Sequence, residues 1–330
     1  MSETERCQQN VEGKLVVGAI GLGDMGSAIV SSIVRHLPVV GYDMRSETVQ
    51  ALAPLGVTSA DSISSIADQA DVALVVVAND AQVKSVVGEL FRHKGRLRSI
   101  IVSSTILPKT MIALKEEADR LGIDLIDAPV SGGAEKASRG TITILIGGDE
   151  DAVKRNWPVF QAFGGNIFHL GPIGAGSAGK LVNNLLSIAG NALQLEAMQL
   201  ADCYGITEER VTEFVAVSAG DSRGLRTWGR IDRARRIYRY LGAEGTYELF
   251  SKDVKYAALA AAQCGVVLPI AASIGAMIPE KMKTRDKLLE ERGLAEIPRC
   301  SVCGQELALP FRENGAHPEC RGADAANDSW

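Results

Sequence analysis

The sequence predicts an α/β domain with a parallel sheet, followed by an all-α domain and a short C-terminal tail. From Leu15 to about Phe168, short apolar runs alternate with amphipathic segments, as in a parallel sheet that helices cover on both faces. Beyond residue 176 the apolar spacing is helical up to the tail. A chain of 330 residues is also too long for one ordinary core, so two domains are expected.

Composition excludes several classes of protein. An apolar fraction of 46% and a charged fraction of 23% are typical of soluble globular chains. The net charge of -5 argues against nucleic-acid binding. No apolar run approaches the ~20 residues that span a membrane, and residues 1–13 form a polar N-terminus, expected to be disordered, without the core of a signal peptide. We therefore expect a cytoplasmic protein, in which the six cysteines form no structural disulfides.

The elements of the first domain follow from the alternation of patterns. Apolar runs predict strands at residues 15–20, 38–43, 72–77, 100–103, 124–127, 141–146 and 166–170. Helical spacing predicts helices at residues 24–36, 46–54, 80–91, 108–121 and 149–163. Ligands of such sheets bind beyond the carboxyl ends of the strands, so residues that follow a strand are site candidates.

The first strand leads into Gly21-Leu22-Gly23-Asp24-Met25-Gly26 and then a helix. Gly21 permits the tight turn, Gly23 lets a pyrophosphate approach the backbone, and Gly26 lets helix and strand pack closely. The N–H groups at the helix N-terminus favour a phosphate. Residues 14–173 are therefore predicted to form a Rossmann-type dinucleotide-binding domain.

Asp43 ends the second strand, about 20 residues after the glycines, where a carboxylate accepts a hydrogen bond from a ribose 2′-hydroxyl. Such a carboxylate repels a 2′-phosphate, so NAD is expected. Arg45 leaves NADP open, because a nearby arginine neutralises that phosphate.

Three other strand ends are candidates for contact with the cofactor or substrate. They are Val77-Ala78 with Gln82, Ser104-Thr105, and Asp127-Ala-Pro-Val-Ser131-Gly132-Gly133. For each of them the alternative is an ordinary loop between a strand and a helix.

A long helix, buried on most sides, is predicted from about Gly176. Lys180 and Asn184 are four residues apart and share one face of it. The lysine is either a surface residue whose ammonium reaches solvent or a catalytic ammonium. None of the four histidines is in a context that suggests a general base.

Four motifs in order resemble the β-hydroxyacid dehydrogenase family, which includes 3-hydroxyisobutyrate dehydrogenase, over residues 14–290. They are Gly21-Leu-Gly23-Asp-Met-Gly26, Asp127-Ala-Pro-Val-Ser131-Gly132-Gly133, Gly174-x-Gly176-x-x-Gly179-Lys180-x-x-x-Asn184, and Lys252-Asp253.

This resemblance implies hydride transfer between a nicotinamide cofactor and a small 3-hydroxy acid or its semialdehyde, by a homodimer or homotetramer. Lys180 then is the general acid/base and Asn184 its partner, while Ser131, Gly132 and Gly133 bind the substrate carboxylate. Thr105 would lie near the nicotinamide and Lys252 near the cofactor. The full set of expected cofactor-binding residues is Gly21, Leu22, Gly23, Met25, Gly26, Asp43, Val77, Ala78, Gln82, Thr105 and Lys252. Asp221 stands where a neutral polar residue is expected, which leaves the substrate open.

Two other functions remain as alternatives. Imine reductases share a similar scaffold but usually lack the lysine, so Lys180 counts against them. A non-catalytic nucleotide-binding protein that recruits a partner through the tail is disfavoured because Lys180, Asn184, Ser131 and Lys252 are all present.

The second domain, residues 174–292, is predicted to serve substrate binding and dimerisation. Its further helices are predicted at residues 208–218, 225–240, 247–264 and 270–291. Residues 223–239 contain seven arginines. These form either a solvated face paired with acidic groups, within or across subunits, or a site that selects an anionic substrate.

The tail, residues 293–330, contains Cys300, Cys303, His317 and Cys320. Their spacing is plausible for a zinc-knuckle-like site, and four protein ligands would make the zinc structural. The alternative is a disordered tail with three free thiols.

Overall fold

The computed structural model describes residues 15–240 and 246–293, and the chain divides after Leu181 into two compact units. The first unit contains a nine-stranded sheet. Its strands are β1 Val17–Ile20, β2 Val39–Tyr42, β3 Thr58–Ser59, β4 Val72–Val75, β5 Ser99–Val102, β6 Asp124–Asp127, β7 Val130–Ser131, β8 Ile142–Gly147 and β9 Gly164–Gly171.

The strand order is β3-β2-β1-β4-β5-β6-β8-β7, and β9 pairs with β8. Strands β1 to β6 are parallel, which confirms the predicted Rossmann-type sheet. The order reverses between β1 and β4, so the crevice for a ligand lies at their carboxyl ends.

The prediction of an entirely parallel sheet is wrong at one edge, because β8 runs antiparallel to β6 and β7. Only residues 132–141 connect β7 to β8. A parallel crossover needs about a dozen residues or more, so this segment favours a return in the opposite direction.

The helices of the first unit cover both faces of the sheet. They are α1 Asp24–Ile33, α2 Ser46–Gln50, α3 Ile63–Gln69, α4 Asp80–Arg92, α5 Pro108–Leu121, α6 Ala134–Ser138, α7 Glu150–Arg155 and α8 Trp157–Gln161. One core contains Ile29 and Phe160, and the other contains Ile66 and Leu90.

The helices of the first unit differ from the prediction in three places. The predicted helix at residues 149–163 is two helices, because Pro158 has no N–H to continue the first. Helix α3 was not predicted, although Ile63, Ile66 and Ala67 have helical spacing. Its start depends on Ser62, which accepts a hydrogen bond from the N–H of Ser65 at 3.0 Å. The short helix α6 was also not predicted.

The second unit is helical, as predicted. The long helix α9 spans Ala175–Cys203, so it begins in the first unit and continues through the second. The other helices are α10 Glu208–Val215, α11 Arg223–Arg226, α12 Arg230–Tyr240, α13 Thr246–Gln263 and α14 Pro269–Glu291. The predicted helix at residues 225–240 is interrupted at Gly229, whose φ of 83° lies outside the helical region.

Helix α9 packs through Ile188 and Ala192 against a core that includes Val254 of α13 and Ile278 of α14. It is less buried than predicted. Leu186, Leu193 and Leu200 are 71%, 68% and 63% exposed, and they recur every seven residues along one face. None of the helices in the described residues combines the length and apolarity needed to cross a membrane.

Candidate active site

The glycine loop lies at the carboxyl end of β1. Gly21 has a φ of 88°, and a side chain there would collide with the carbonyl oxygen of Val76. A side chain on Gly26 would collide with the carbonyl oxygen of Gly21. These two positions therefore require glycine, and they hold α1 close to the strands.

Gly23 has open space where a side chain would lie, with no atom within 4 Å. It precedes α1, and no side chain caps the N-terminus of that helix. The N–H groups of the first turn and the open space at Gly23 fit a pyrophosphate group. The loop therefore suits the dinucleotide that the sequence predicts.

Asp43 is linked to the glycine loop. One carboxylate oxygen accepts a hydrogen bond from the N–H of Leu22 at 2.7 Å, and the other accepts one from the N–H of Arg45 at 2.9 Å. The Asp43 side chain is 12% exposed and that of Arg45 is 65% exposed. Since a carboxylate oxygen has two acceptor positions, Asp43 can brace the loop and still accept a hydroxyl.

The loop after β4 is held by side chains. The N–H of Val77 donates to the hydroxyl of Ser104 at 2.8 Å, and the N–H of Ala78 donates to Oε1 of Gln82 at 2.8 Å. Gln82 therefore braces the turn before α4. The sequence did not predict this role for Ser104 or Gln82.

Asp80 makes a second link between the same two loops. Its Oδ1 accepts from the N–H of Leu107 at 3.1 Å and from the hydroxyl of Thr110 at 2.6 Å. Together with Ser104, this contact fixes the loop that carries Thr105. Asp80 was not a predicted site residue. Its partner Thr110 is 30 positions away, so no local sequence pattern indicates the contact.

The Ser131–Gly133 loop follows β7, where Ser131 pairs with Thr143 of β8. Gly132 and Gly133 have φ values of 143° and 89°, which only glycine adopts readily. A side chain on Gly133 would meet no atom within 4 Å. The backbone of the loop is therefore open at Gly133, whereas a Cβ on Gly132 would lie 3.1 Å from the Lys136 side chain.

Asp127, the first residue of the same motif, is fully buried. Its carboxylate accepts hydrogen bonds from the N–H of Gly174 at 2.7 Å and of Ser177 at 2.5 Å. Burial raises the pKa of the Asp127 carboxyl, although these two hydrogen bonds act in the opposite direction. The sequence assigned no role to this side chain.

Lys180 and Asn184 lie one turn apart on α9, as predicted. In the second unit the amide of Asn184 donates to Oδ2 of Asp253 at 2.7 Å. Asp253 is buried, and its Oδ1 lies 3.4 Å from Nζ of Lys252. The Lys252-Asp253 motif therefore holds the Asn184 amide in one orientation.

The arginine-rich segment is divided between surface and core. Arg226 is exposed and forms an ion pair with Asp221, so the unexpected Asp221 has a partner five residues away in the helix α11 that follows it. Arg235 is buried and pairs with Asp232 and Asp286. Both arginines pair with acidic groups, as predicted, but only Arg226 of these two lies on a solvated face, since Arg235 is buried.

Other predicted residues lie elsewhere. Nε2 of His169 lies 2.8 and 3.0 Å from the carbonyl oxygens of Gly148 and Gly171, so this ring has a structural role. The four tail residues Cys300, Cys303, His317 and Cys320 lie outside the described residues. Within the described part of the chain, no cluster of potential metal ligands is found.

Comparison with known proteins agrees with this architecture. Residues 16–171 match the family described as the NAD-binding domain of 6-phosphogluconate dehydrogenase. Residues 174–292 match the family described as the NAD-binding domain of NADP-dependent 3-hydroxyisobutyrate dehydrogenase.

Two similar proteins cover most of the chain. L-threonate dehydrogenase of Escherichia coli is 32% identical over 78% of this chain and 86% of its own. The crystal structure of a 3-hydroxyisobutyrate dehydrogenase from Salmonella typhimurium superposes with a TM-score of 0.68 at 30% identity, over 81% of this chain and 93% of that one. An imine reductase from Myxococcus stipitatus shares the fold, with a TM-score of 0.55, 19% identity and coverage of 82% and 94%.

The dinucleotide fold and these relatives define the chain as an NAD(P)-dependent oxidoreductase. Identity of 32% over 86% of the L-threonate dehydrogenase is more specific than the shared fold. The chain belongs to the β-hydroxyacid dehydrogenase family.

Proposed function

We propose that this enzyme interconverts a small 3-hydroxy acid, similar to 3-hydroxyisobutyrate, and the corresponding semialdehyde, with Lys180 as the general acid/base. The observation that carries the proposal is the arrangement on α9. Lys180 and Asn184 share one helical face, and Asp253 fixes the Asn184 amide at 2.7 Å. Such a pair suits a hydroxyl that gains or loses a proton.

In the oxidative direction, the neutral amine of Lys180 accepts the hydroxyl proton as the carbon–hydrogen bond breaks. The nicotinamide, when bound, accepts the hydride. In the reductive direction, the Lys180 ammonium returns the proton and stabilises negative charge on the oxygen. The Asn184 amide holds that oxygen without adding a charge.

Substrate positioning is assigned to the Ser131–Gly133 loop. A serine hydroxyl and backbone N–H groups suit a carboxylate, and the space around Gly133 is open. Thr105 would contact the nicotinamide, and Lys252 would lie near the cofactor and the substrate. The names of the relatives include threonate and 3-hydroxyisobutyrate, so a carboxylate beside a hydroxyl is the common feature.

A panel of hydroxy acids, each assayed with NAD and with NADP, tests the proposal through the absorbance of the reduced nicotinamide. 3-Hydroxyisobutyrate, L-serine and L-threonate should be included as alcohols to be oxidised, and a cyclic imine, which accepts a hydride, should be assayed with NADH and with NADPH. Higher kcat/KM for oxidation of one of these three 3-hydroxy acids than for reduction of the imine supports the proposed reaction, and a preference for 3-hydroxyisobutyrate over L-serine and L-threonate supports the proposed substrate. Turnover of the imine alone would instead favour an imine reductase, and absence of turnover with NADH binding intact would favour a non-catalytic binding protein.

We expect Asp43→Asn to shift cofactor preference from NAD toward NADP. The carboxylate that accepts the ribose hydroxyl and repels a 2′-phosphate becomes neutral, while Arg45 remains exposed beside it. The ratio of kcat/KM for NAD to that for NADP should fall by about tenfold or more, which corresponds to ~1.4 kcal/mol. An unchanged ratio would refute the preference for NAD. Asp71→Asn is the control. Asp71 precedes β4, at the amino ends of the strands, and its carboxylate also accepts a hydrogen bond from a backbone N–H, that of Val16.

The tail is proposed to bind one structural zinc through Cys300, Cys303, His317 and Cys320. The purified protein should contain about one zinc per chain, and Cys303→Ser should lose it, because a tetrahedral site needs all four ligands. Metal analysis of both proteins tests this. Cys264→Ser, at an exposed cysteine of the helical unit, should retain the metal.

The enzyme is also proposed to be a homodimer or homotetramer. The leucines exposed at seven-residue spacing on α9 support this, since a second copy could cover them. The molar mass from light scattering distinguishes these states from a monomer.

A further inference from the structure

Asp127 is a fully buried carboxylate without a part in the proposed chemistry. It ends β6, and its two oxygens accept from the N–H groups of Gly174 and Ser177. These groups belong to the start of α9, where backbone N–H groups have no partner within the helix. The carboxylate therefore caps α9 from a strand that lies 47 residues earlier in the chain.

The backbone around this contact is packed too closely for any side chain. A Cβ on Gly147 would lie 2.5 Å from Oδ1 of Asp127 and 2.6 Å from the nitrogen of Gly176. A Cβ on Gly176 would lie 2.6 Å from the carbonyl oxygen of Asp127 and would collide with that of Leu145. The first turn of α9 thus rests directly on β6 and β8.

The contact between Asp127 and the start of α9 is close in the chain to two residues that the proposed function requires, Ser131 and Lys180. Ser131 follows Asp127 by four residues through a short loop. Lys180 follows Ser177 by three residues, about 4.5 Å along the helix axis. Asp127 therefore begins the chain segment that leads to Ser131, and its carboxylate accepts hydrogen bonds from the start of the helix that carries Lys180.

We propose that Asp127 is a positioning residue, whose carboxylate fixes the first turn of α9 and so sets Lys180 relative to the Ser131–Gly133 loop. The inference rests on the proposed function of Lys180. Reaction rates are sensitive to such placement, because displacement of a reacting group by about 1 Å can slow turnover ~100-fold.

Asp127→Asn tests the proposal. The amide has the size of the carboxylate, but its NH2 group cannot accept a hydrogen bond, so one of the two N–H groups is left unpaired. We expect kcat to fall ~10- to 100-fold, while the Kd for NADH changes less than about twofold, since the glycine loop is intact. Turnover is expressed per NADH-binding site from fluorescence titration, so that unfolded protein does not contribute.

A second variant perturbs the same contact from the opposite side. The methyl group of Gly147→Ala would collide with Oδ1 of Asp127 and with the nitrogen of Gly176, while the Asp127 carboxylate itself is retained. It should also lower kcat per site about tenfold or more. If Asp127→Asn yields no protein that binds NADH, the kcat per site of Gly147→Ala decides whether the contact positions Lys180.

Two matched controls separate positioning from general stability. Gly88→Ala adds the same methyl group to helix α4, where the nearest atom is 3.7 Å away. Asp71→Asn removes a carboxylate that accepts from the N–H of Val16 and from Arg96 before β4, away from the site. Both should retain kcat within about twofold, even if melting temperatures fall.

The outcomes are distinct. If Asp127→Asn and Gly147→Ala bind NADH and turn over like the parent enzyme, while Lys180→Ala is inactive, the positioning role is wrong and the proposed function stands. If Lys180→Ala is fully active, the proposed function itself fails. A loss of kcat in Asp71→Asn equal to that in Asp127→Asn would reduce Asp127 to a general stabilising residue.

Discussion

Replacing Lys180 by alanine should lower turnover by ~100-fold or more while NADH still binds. The hydroxyl proton then has no acceptor on α9, and the negative charge that develops on the oxygen loses its neighbouring cation. Steady-state kcat with the best hydroxy acid, together with an NADH titration, measures the two effects separately. Lys154→Ala provides the control, because its 65% exposed side chain forms only surface ion pairs.

Lys180→Arg distinguishes the two contributions of the lysine. Arginine keeps the positive charge but does not lose its proton at working pH. If proton transfer dominates, Lys180→Arg should be nearly as inactive as Lys180→Ala in hydroxy-acid oxidation. Substantial activity in the arginine variant would mean that the side chain acts as a fixed charge. Full activity in both variants would remove Lys180 from the mechanism.

The sequence predicts the parts of the site that depend on local patterns. The glycine loop is recognisable because each glycine meets a local demand, and Gly21 and Gly26 indeed have no room for a side chain. The parallel strands are recognisable because burial on both faces requires continuous apolar runs. Helical spacing places Lys180 and Asn184 on one face of α9, but their proposed roles come from the resemblance to the β-hydroxyacid dehydrogenase family.

The contacts that hold these parts together could not be predicted from the sequence. Asp127 meets α9 across 47 positions, and Asn184 meets Asp253 across 69. Nothing in the local sequence around Asp80 or Ser104 indicates which backbone N–H each will bind. Such hydrogen-bond partners depend on how the strands and helices pack against one another. The spacing of residues in a single sequence does not reveal that packing.

In the arginine-rich segment, too, the sequence does not show which side chains will meet. The helical spacing in residues 230–240 identifies the faces of α12 but does not identify which face is buried. Arg235 is buried because Asp286, 51 positions away on α14, lies opposite it. Arg226, in the short helix before it, pairs with Asp221, which precedes that helix, and remains exposed.

This buried cluster should be the most sensitive part of the helical unit to substitution. The guanidinium of Arg235 donates to Asp232 at 2.7 Å and to Asp286 at 2.8 Å, and its side chain is only 2% exposed. Tyr247 also donates to Asp286, at 2.5 Å, and Arg285 donates to Asp232, at 3.1 Å. Three helices, α12, α13 and α14, are thereby joined through charges that have little access to water.

Arg235→Met should therefore destabilise the helical unit by about 3–5 kcal/mol, because it leaves two buried carboxylates with one fewer cation. The melting temperature should fall by roughly 10 °C in thermal denaturation followed by circular dichroism. Arg226→Met, the exposed control, should cost below about 1 kcal/mol. Adding Asp286→Asn to Arg235→Met should cost less than the sum of the single changes, since each single change leaves the other charge buried. Equal losses for Arg235→Met and Arg226→Met would mean that water or the unfolded state compensates the buried carboxylates, and the cluster would then contribute no more than a surface ion pair.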